Sequence, residues 1–456
     1  MNKKRAEQIK NALKKSAKRE ESNKKFSFSY ESECLKYKSY LRDFSSEQYK
    51  LFDALFDELC VKESAKDLFE GEVVNMTEGK PALHHKYRSN TPPPEFNFKK
   101  ISKLLITKIQ KSKYQNIITF GIGGSYEGPK LLQEFLFKPS SKINYLFVSG
   151  PDKDEFNNIV KPLLGQNNLY IFSSKSLATD ETLTCLNWLG KNRTSKNSIV
   201  ITANSDGAES LGFSKESIVS LPESVGGRYS IWSPISLSIA VENNFYSFLH
   251  GGGQADNLLL GSSPDAKRYQ KLIKTLAFSD IWFNNFRNKK NRLVLTYNWR
   301  LRSFASYIQQ LEMESLGKPA SAESIFNETG QSIFGGFGST AQHSYFQLLH
   351  QGTSHSSADI IYSPANQSPL SNAQAQGQSS LLSTPQSKVS NILEITNGNI
   401  PVNLFILPKF SLKELGFLIT SWEHRVFITA CMLQINPFDQ FGVAAGKKVA
   451  QKFIKI

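Results

Sequence analysis

Residues 119–129 read Thr-Phe-Gly-Ile-Gly-Gly-Ser-Tyr-Glu-Gly-Pro, between an apolar run and the amphipathic segment KLLQEFLF. Glycines there let backbone amides close on an anion at a helix N-terminus, and Ser125 adds a hydroxyl. The plain alternative is a tight strand-to-helix turn. A dinucleotide fingerprint does not fit, because Ser149 and Gly150 stand where an acidic residue would end the next strand. A second such segment reads Ser173-Ser174-Lys175-Ser176-Leu177-Ala178-Thr179-Asp180-Glu181-Thr182. Hydroxyls, one lysine and helix-start amides are what a phosphate monoester dianion requires. Alone, the segment equally suits an ordinary helix cap by Thr179 or Asp180. Two such loops at successive strand ends of an open α/β sheet favour a phosphate.

Four further segments carry groups able to do chemistry: Val225-Gly226-Gly227-Arg228-Tyr229-Ser230, the run from Gln310 through Glu314 to Lys318, Ala341-Gln342-His343-Ser344, and the run from Asn436 to Lys447. Singly, each has a bland explanation: a surface arginine, a solvated helix glutamate, a satisfied core histidine, a helix-surface lysine.

The elements that must position these residues are legible around them. The stretches NIITFGIGG, INYLFVSG, NLYIFSSK and SIVITAN alternate with helical sequence, which predicts a parallel sheet covered by helices. The glycine-rich HGGGQADN (250–257) is expected to end this unit. A second set follows: NRLVLTYN, SIFGGFG, ADIIYSP and PVNLFILP. The expected fold is therefore α/β, with two related subdomains. Residues 1–70 read as helical, and the proline run 92–94 marks a boundary. The first 25 residues hold ten Lys or Arg against three Glu, a basic helix with Ile9 and Leu13 on one face. RNA or acidic lipid is the sharper alternative for this segment.

The 456 residues are 39% hydrophobic and 21% charged, which excludes a disordered or disulfide-stapled chain. No apolar run approaches the roughly 18–20 residues of a membrane helix, and no apolar segment follows the basic N-terminus as in a secretory signal. Cys34, Cys60, Cys185 and Cys431 lack metal or redox spacing, so reduced thiols in a cytoplasmic protein are expected. Of the net +15, the first 25 residues supply +7; the remaining +8 suits a small anion better than a nucleic-acid track.

Taken in order, the segments resemble the glucose-6-phosphate isomerase, or phosphoglucose isomerase, family. The resemblance begins at Asn75-Met76-Thr77-Glu78 and Leu83-His84. It runs through GIGGSYEGP, SSKSLATDET, VGGRYSIWSPIS, MESLGK and QHSYFQLLHQGT, and ends in EHRVF and INPFDQFGVAAGK. It also implies a helix over 370–382 where composition alone suggests a polar linker.

The resemblance implies two sugar-isomerase (SIS) type domains of doubly wound, mostly parallel sheets. Expected boundaries are 1–94 for an N-terminal helical segment on the second domain, 95–262 and 263–456. It implies a cytoplasmic homodimer, acting in glycolysis and gluconeogenesis, that interconverts D-glucose 6-phosphate and D-fructose 6-phosphate without cofactor or metal. Glu314 would shuttle the proton through a cis-enediolate stabilised by Arg228. His343, supplied by the partner subunit and oriented by Glu181, would open the ring with Lys447. Gly124, Ser125, Ser174, Lys175, Ser176 and Thr179 would hold the phosphate, and Gln310 and Gln440 the sugar hydroxyls.

The chemistry asks for the same types. Abstracting a proton beside a carbonyl needs a placed carboxylate, the oxyanion needs a cation that cannot act as an acid, and ring opening suits histidine. Leu316, Ala178 and Ala444 depart from common family residues. The competing readings are a non-catalytic sugar-phosphate sensor, an isomerase that also accepts mannose 6-phosphate, and nucleic-acid binding by the N-terminus.

Overall fold

The computed structural model describes residues 3–18, 26–136, 141–353, 355–365, 368–386 and 388–454. The N-terminal 70 residues contain the expected helices, Lys3–Lys18, Ser46–Glu58 and Val61–Glu70. They also contain a hairpin that the helical reading overlooks: β1 (Ser29–Glu31) and β2 (Lys36–Tyr40). In KYKSY, Tyr37 and Ser39 point inward and the lysines outward, a strand's period of two within a run too short to stand out. Ile9 and Leu13 of the basic first helix are buried, as their spacing predicts.

The first α/β unit is built from β3 (Asn116–Phe120), β4 (Asn144–Val148), β5 (Asn168–Ser173), β6 (Ser198–Thr202) and β7 (Ile218–Ser220). These strands are all parallel, in the order β4-β3-β5-β6-β7. Every residue of β3, β5 and β6 is buried, which is why they read as continuous apolar runs.

The second unit holds β8 (Asn291–Thr296), β9 (Ser332–Phe337), β10 (Ser356–Tyr362) and β11 (Val402–Ile406), mutually parallel. Its sheet runs β1-β2-β11-β10-β8-β9, with β2 antiparallel on β11. Counted from its own first parallel strand, the first sheet has the winding order 2-1-3-4-5 and the second 2-1-3-4. The two units are thus related in topology, as their shared sequence texture predicts. Each has one point where the winding reverses, the usual place for a ligand. In the second sheet this point, between β8 and β10, is stitched shut: Asn298 Nδ2 donates to the Ser363 carbonyl (3.2 Å), and Ser363 N–H donates to Asn298 Oδ1 (2.7 Å).

HGGGQADN lies inside helix Phe245–Leu260, which follows the last strand of the first sheet. Its glycines serve packing rather than a turn. A Cβ on Gly251 would stand 1.9 Å from the Lys413 carbonyl oxygen, and one on Gly416 would stand 2.1 Å from that of Phe248. Helix Phe245–Leu260 therefore touches helix Leu412–Leu433 backbone to backbone, beyond the reach of ordinary side chains. The helix expected over 370–382 is present as Pro369–Ser383, capped by Ser368.

Two buried ionic networks brace the interior. Arg88 bonds Asp256 (2.6 Å) and Glu423, with Trp232 and His424 completing those carboxylates. Arg425 bonds Asp280 (2.6 Å) and Asp359 (2.8 Å); Arg292 pairs with both and with Glu312. Removing one member of such a set costs about 3–5 kcal/mol. The four cysteines are free thiols. Among the described residues no helix is long and apolar enough to cross a membrane.

Candidate active site

A cleft of about 790 Å³ opens at the reversal point of the first sheet. It gathers twelve of the thirteen residues singled out from the sequence: Gly124, Ser125, Ser174, Lys175, Ser176, Thr179, Glu181, Arg228, Gln310, Glu314, Gln440 and Lys447.

β3 and β5 are hydrogen-bonded neighbours, so the loops after them lie side by side. The loop after β3 is seated on Gly226–Arg228. A Cβ on Gly124 would stand 1.9 Å from the Gly227 carbonyl oxygen, and Ser230 Oγ donates to the Gly124 carbonyl (3.3 Å). Only a glycine permits that approach.

In the loop after β5, Thr179 precedes helix Asp180–Leu189, but its hydroxyl makes no capping bond. It pairs with Ser174 Oγ at 3.0 Å instead. Side-chain capping by Thr179 therefore fails, leaving two hydroxyls together at the cleft. Lys175 donates to the Glu223 carbonyl (2.6 Å); burial holds its ammonium pKa below the usual lysine value. A phosphate dianion beside it would oppose that shift.

Gln310 and Glu314 lie one turn apart on helix Phe304–Leu316, and Gln310 Nε2 donates to Glu314 Oε2 (3.4 Å). The second ionic network anchors this helix through Glu312. Arg228 is 2% exposed. Its Nε donates to Ser315 Oγ (2.8 Å), Nη1 to Glu314 (3.2 Å) and Gln440 Oε1 (2.8 Å), and Nη2 to the carbonyls of Pro437 and Asp439 (2.9 Å to the latter). Lys447 reaches the cleft from the exposed helix Ala444–Ile454.

His343 is the residue left apart. It caps the short helix Gly338–Gln342, is exposed, and does not line the cleft of its own chain. Of the three departures, Leu316 is buried in the main apolar core while Ala178 and Ala444 are exposed; none lines the cleft.

Lys80, Asn204 and Glu223 also line the cleft and were not singled out. Lys80 bonds Glu223 (2.8 Å), and an antiparallel bridge between Asn75 and Lys80 folds the NMTEGK turn back on itself. The available signal was proximity: Lys80 is two residues past the N-x-T-E segment.

This surface has cations and hydroxyls at one end and a carboxylate facing a buried guanidinium at the other. It can hold a phosphate, and it can move a proton while countering the charge that develops.

The sequence matches the phosphoglucose isomerase family over residues 106–455. It is 30% identical over 471 residues to a glucose-6-phosphate isomerase of Shewanella frigidimarina, covering 90% of this chain and 85% of that protein. It is also 30% identical over 494 residues to one from Buchnera aphidicola, covering 95% and 87%. In three dimensions it superimposes on the crystal structure of a glucose-6-phosphate isomerase from Chlamydia trachomatis with a TM-score of 0.80, covering 94% of this chain and 89% of that one at 22% identity. Sequence match and cleft agree: the chain belongs to the phosphoglucose isomerase family.

Proposed function

We propose that this chain interconverts D-glucose 6-phosphate and D-fructose 6-phosphate by ring opening and proton transfer through a cis-enediolate. The observation that carries the reading is the pairing of Glu314 with buried Arg228, in one cleft with the Ser174–Thr179 hydroxyls and Lys175.

Ser125, Ser174, Lys175, Ser176 and Thr179 bind the phosphate, with the Gly124 backbone beside them. This anchor sets carbons 1 and 2 against Glu314. The carboxylate takes the proton from carbon 2 and returns it to carbon 1, while the hydroxyl proton passes from oxygen 2 to oxygen 1; both run the other way in reverse. Arg228 stabilises the enediolate without serving as its acid, since a guanidinium does not deprotonate. Gln310 and Gln440 hold sugar hydroxyls. The carbonyl and hydroxyl exchange within one molecule, so the reaction has no net oxidation.

Ring opening needs a group that donates and accepts near neutral pH. We assign this to His343 of the partner subunit, oriented by Glu181, with Lys447 assisting. An exposed His343 outside its own cleft supports a homodimer with shared sites. The domain division at residues 94 and 262 and residence in the cytoplasm belong to the same proposal.

A coupled assay of fructose 6-phosphate conversion by the purified chain tests the reading. Turnover is expected; tight binding without turnover would return the chain to the sensor class. Mannose 6-phosphate in the same assay measures tolerance at carbon 2.

A further inference from the structure

Asp439 does not line the cleft, yet it is the point where the parts of the cleft are tied together. Its side chain is 9% exposed. Carboxylate Oδ1 bonds Lys318 Nζ at 2.9 Å, and Oδ2 accepts from Thr77 Oγ1 at 2.7 Å. Lys318 lies two residues past helix Phe304–Leu316, which carries Glu314. Asn436 fastens the same loop to Asn75 (2.8 Å) and Thr77 (2.7 Å). The backbone carbonyl of Asp439 accepts from Arg228 Nη2 (2.9 Å), and Gln440 next along accepts from Nη1.

On the isomerase reading above, we propose that Asp439 is a positioning residue for the reaction. Its carboxylate, clamped between Lys318 and Thr77, presses the 437–440 backbone onto Nη2 of Arg228 and so aims Nη1 at Glu314 and the substrate. The Asp439 carboxylate touches no substrate. It acts by fixing the angle of a guanidinium whose planar fork has little use unless it is aimed.

The charge of Asp439 matters as well as its shape. Lys318 is faced by Asp439, Arg228 and Glu314; burial and Arg228 push its pKa down, while Asp439 and Glu314 oppose them. Without the Asp439 charge, Lys318 would lose its proton at a lower pH and release the loop.

The test uses the full chain as wild type, Asp439→Asn, Lys318→Gln and the double variant. It measures kcat and KM for fructose 6-phosphate, affinity for a hexitol 6-phosphate that cannot isomerise, and Tm. Asp439→Asn is expected to lower kcat about 10- to 100-fold, as a small misplacement of a catalytic group does. Hexitol phosphate affinity should stay within about threefold, because the phosphate loops are untouched. The alkaline limb of its kcat profile should move to lower pH. Lys318→Gln should lose a similar factor, and the double variant no more than either single one.

Wild-type kcat in Asp439→Asn, additive losses, or an equal loss of hexitol phosphate affinity would overturn the proposal. If Asp439→Asn fails to fold, Lys318→Gln decides alone: kcat reduced with binding retained supports the proposal, and any other result rejects it. A wild-type chain inactive on fructose 6-phosphate would sink the isomerase reading itself. An active wild type with an unimpaired Asp439→Asn would sink only this inference.

Discussion

Arg228 faces Glu314 across 3.2 Å, and all five of its N–H groups already have acceptors within the protein. An enediolate oxygen can therefore reach the guanidinium only by replacing a bond from Nη1, either to Glu314 or to Gln440. Where the bond to Glu314 is the one replaced, substrate arrival and release of the base are coupled through one nitrogen.

Glu314→Gln separates these roles. The amide oxygen can still accept from Arg228, but the side chain can no longer carry the proton. Turnover should fall by roughly 10²–10⁴, the range of a general base, while hexitol phosphate still binds in a calorimetric titration. Retention of more than about a tenth of wild-type kcat would remove Glu314 from the role.

The hydroxyl pair predicts the opposite split. Ser174→Ala should raise KM more than it lowers kcat. The double variant Ser174→Ala/Thr179→Val should weaken hexitol phosphate by about tenfold or more, since hydrogen bonds to a charged group contribute about 1.5–3 kcal/mol each. Unchanged affinity would put the phosphate elsewhere.

Shared sites predict rescue between two inactive variants. Mixing Glu314→Gln with His343→Ala and allowing subunits to exchange gives mixed dimers with one intact site. Activity should return towards about a quarter of wild type at random reassortment. If mass analysis shows exchange and no activity returns, His343 acts within its own chain or is structural.

Gly124→Ala tests the seating of the two loops. The new methyl would overlap the Gly227 carbonyl, so the loop after β3 and the arginine-bearing turn must part. A loss of about 100-fold in kcat/KM is expected, from a displacement of about 1 Å at Arg228 or Ser125. Near-wild-type kinetics would mean that the close approach is not needed for catalysis.

Stability should fall with acid through the buried histidines. Burial holds His85 neutral, with its pKa lowered to about 3. Between there and the unfolded value of about 6.5, the unfolded chain binds the extra proton, so stability is lost as pH falls through that window. At pH 5 the contribution is about 2 kcal/mol for this one group. Chemical denaturation at pH 7 and pH 5 should show a smaller loss in His85→Phe than in wild type.

What the sequence disclosed follows from how each signal is made. Strands buried on both faces, such as β5, announce themselves as apolar runs. Glycine and hydroxyl loops at their ends mark the cleft, and the NPFDQ and GGRYS segments place Gln440 and Arg228. β2 stayed hidden because it is an antiparallel addition of five residues, four of them lysine or tyrosine. The packing use of the Gly251–Gly253 run was not legible locally, because it depends on a helix some 160 residues away in the chain. Asp439 and Lys318 lie 121 residues apart, and no periodicity joins such a pair.

The glycine contact between helices Phe245–Leu260 and Leu412–Leu433 sets where the molecule can breathe. Amides beside Gly251 and Gly416 meet solvent only if the two helices separate, and separation pulls the nearly wholly buried Leu412–Leu433 out of the main core. Hydrogen exchange there should follow global unfolding, while the exposed helix Ala444–Ile454 frays on its own. The 434–443 loop connects these extremes. Its inner end, where the carbonyls of Pro437 and Asp439 hold Arg228, inherits the slow kinetics of one helix; its outer end gives Lys447 the freedom of the other.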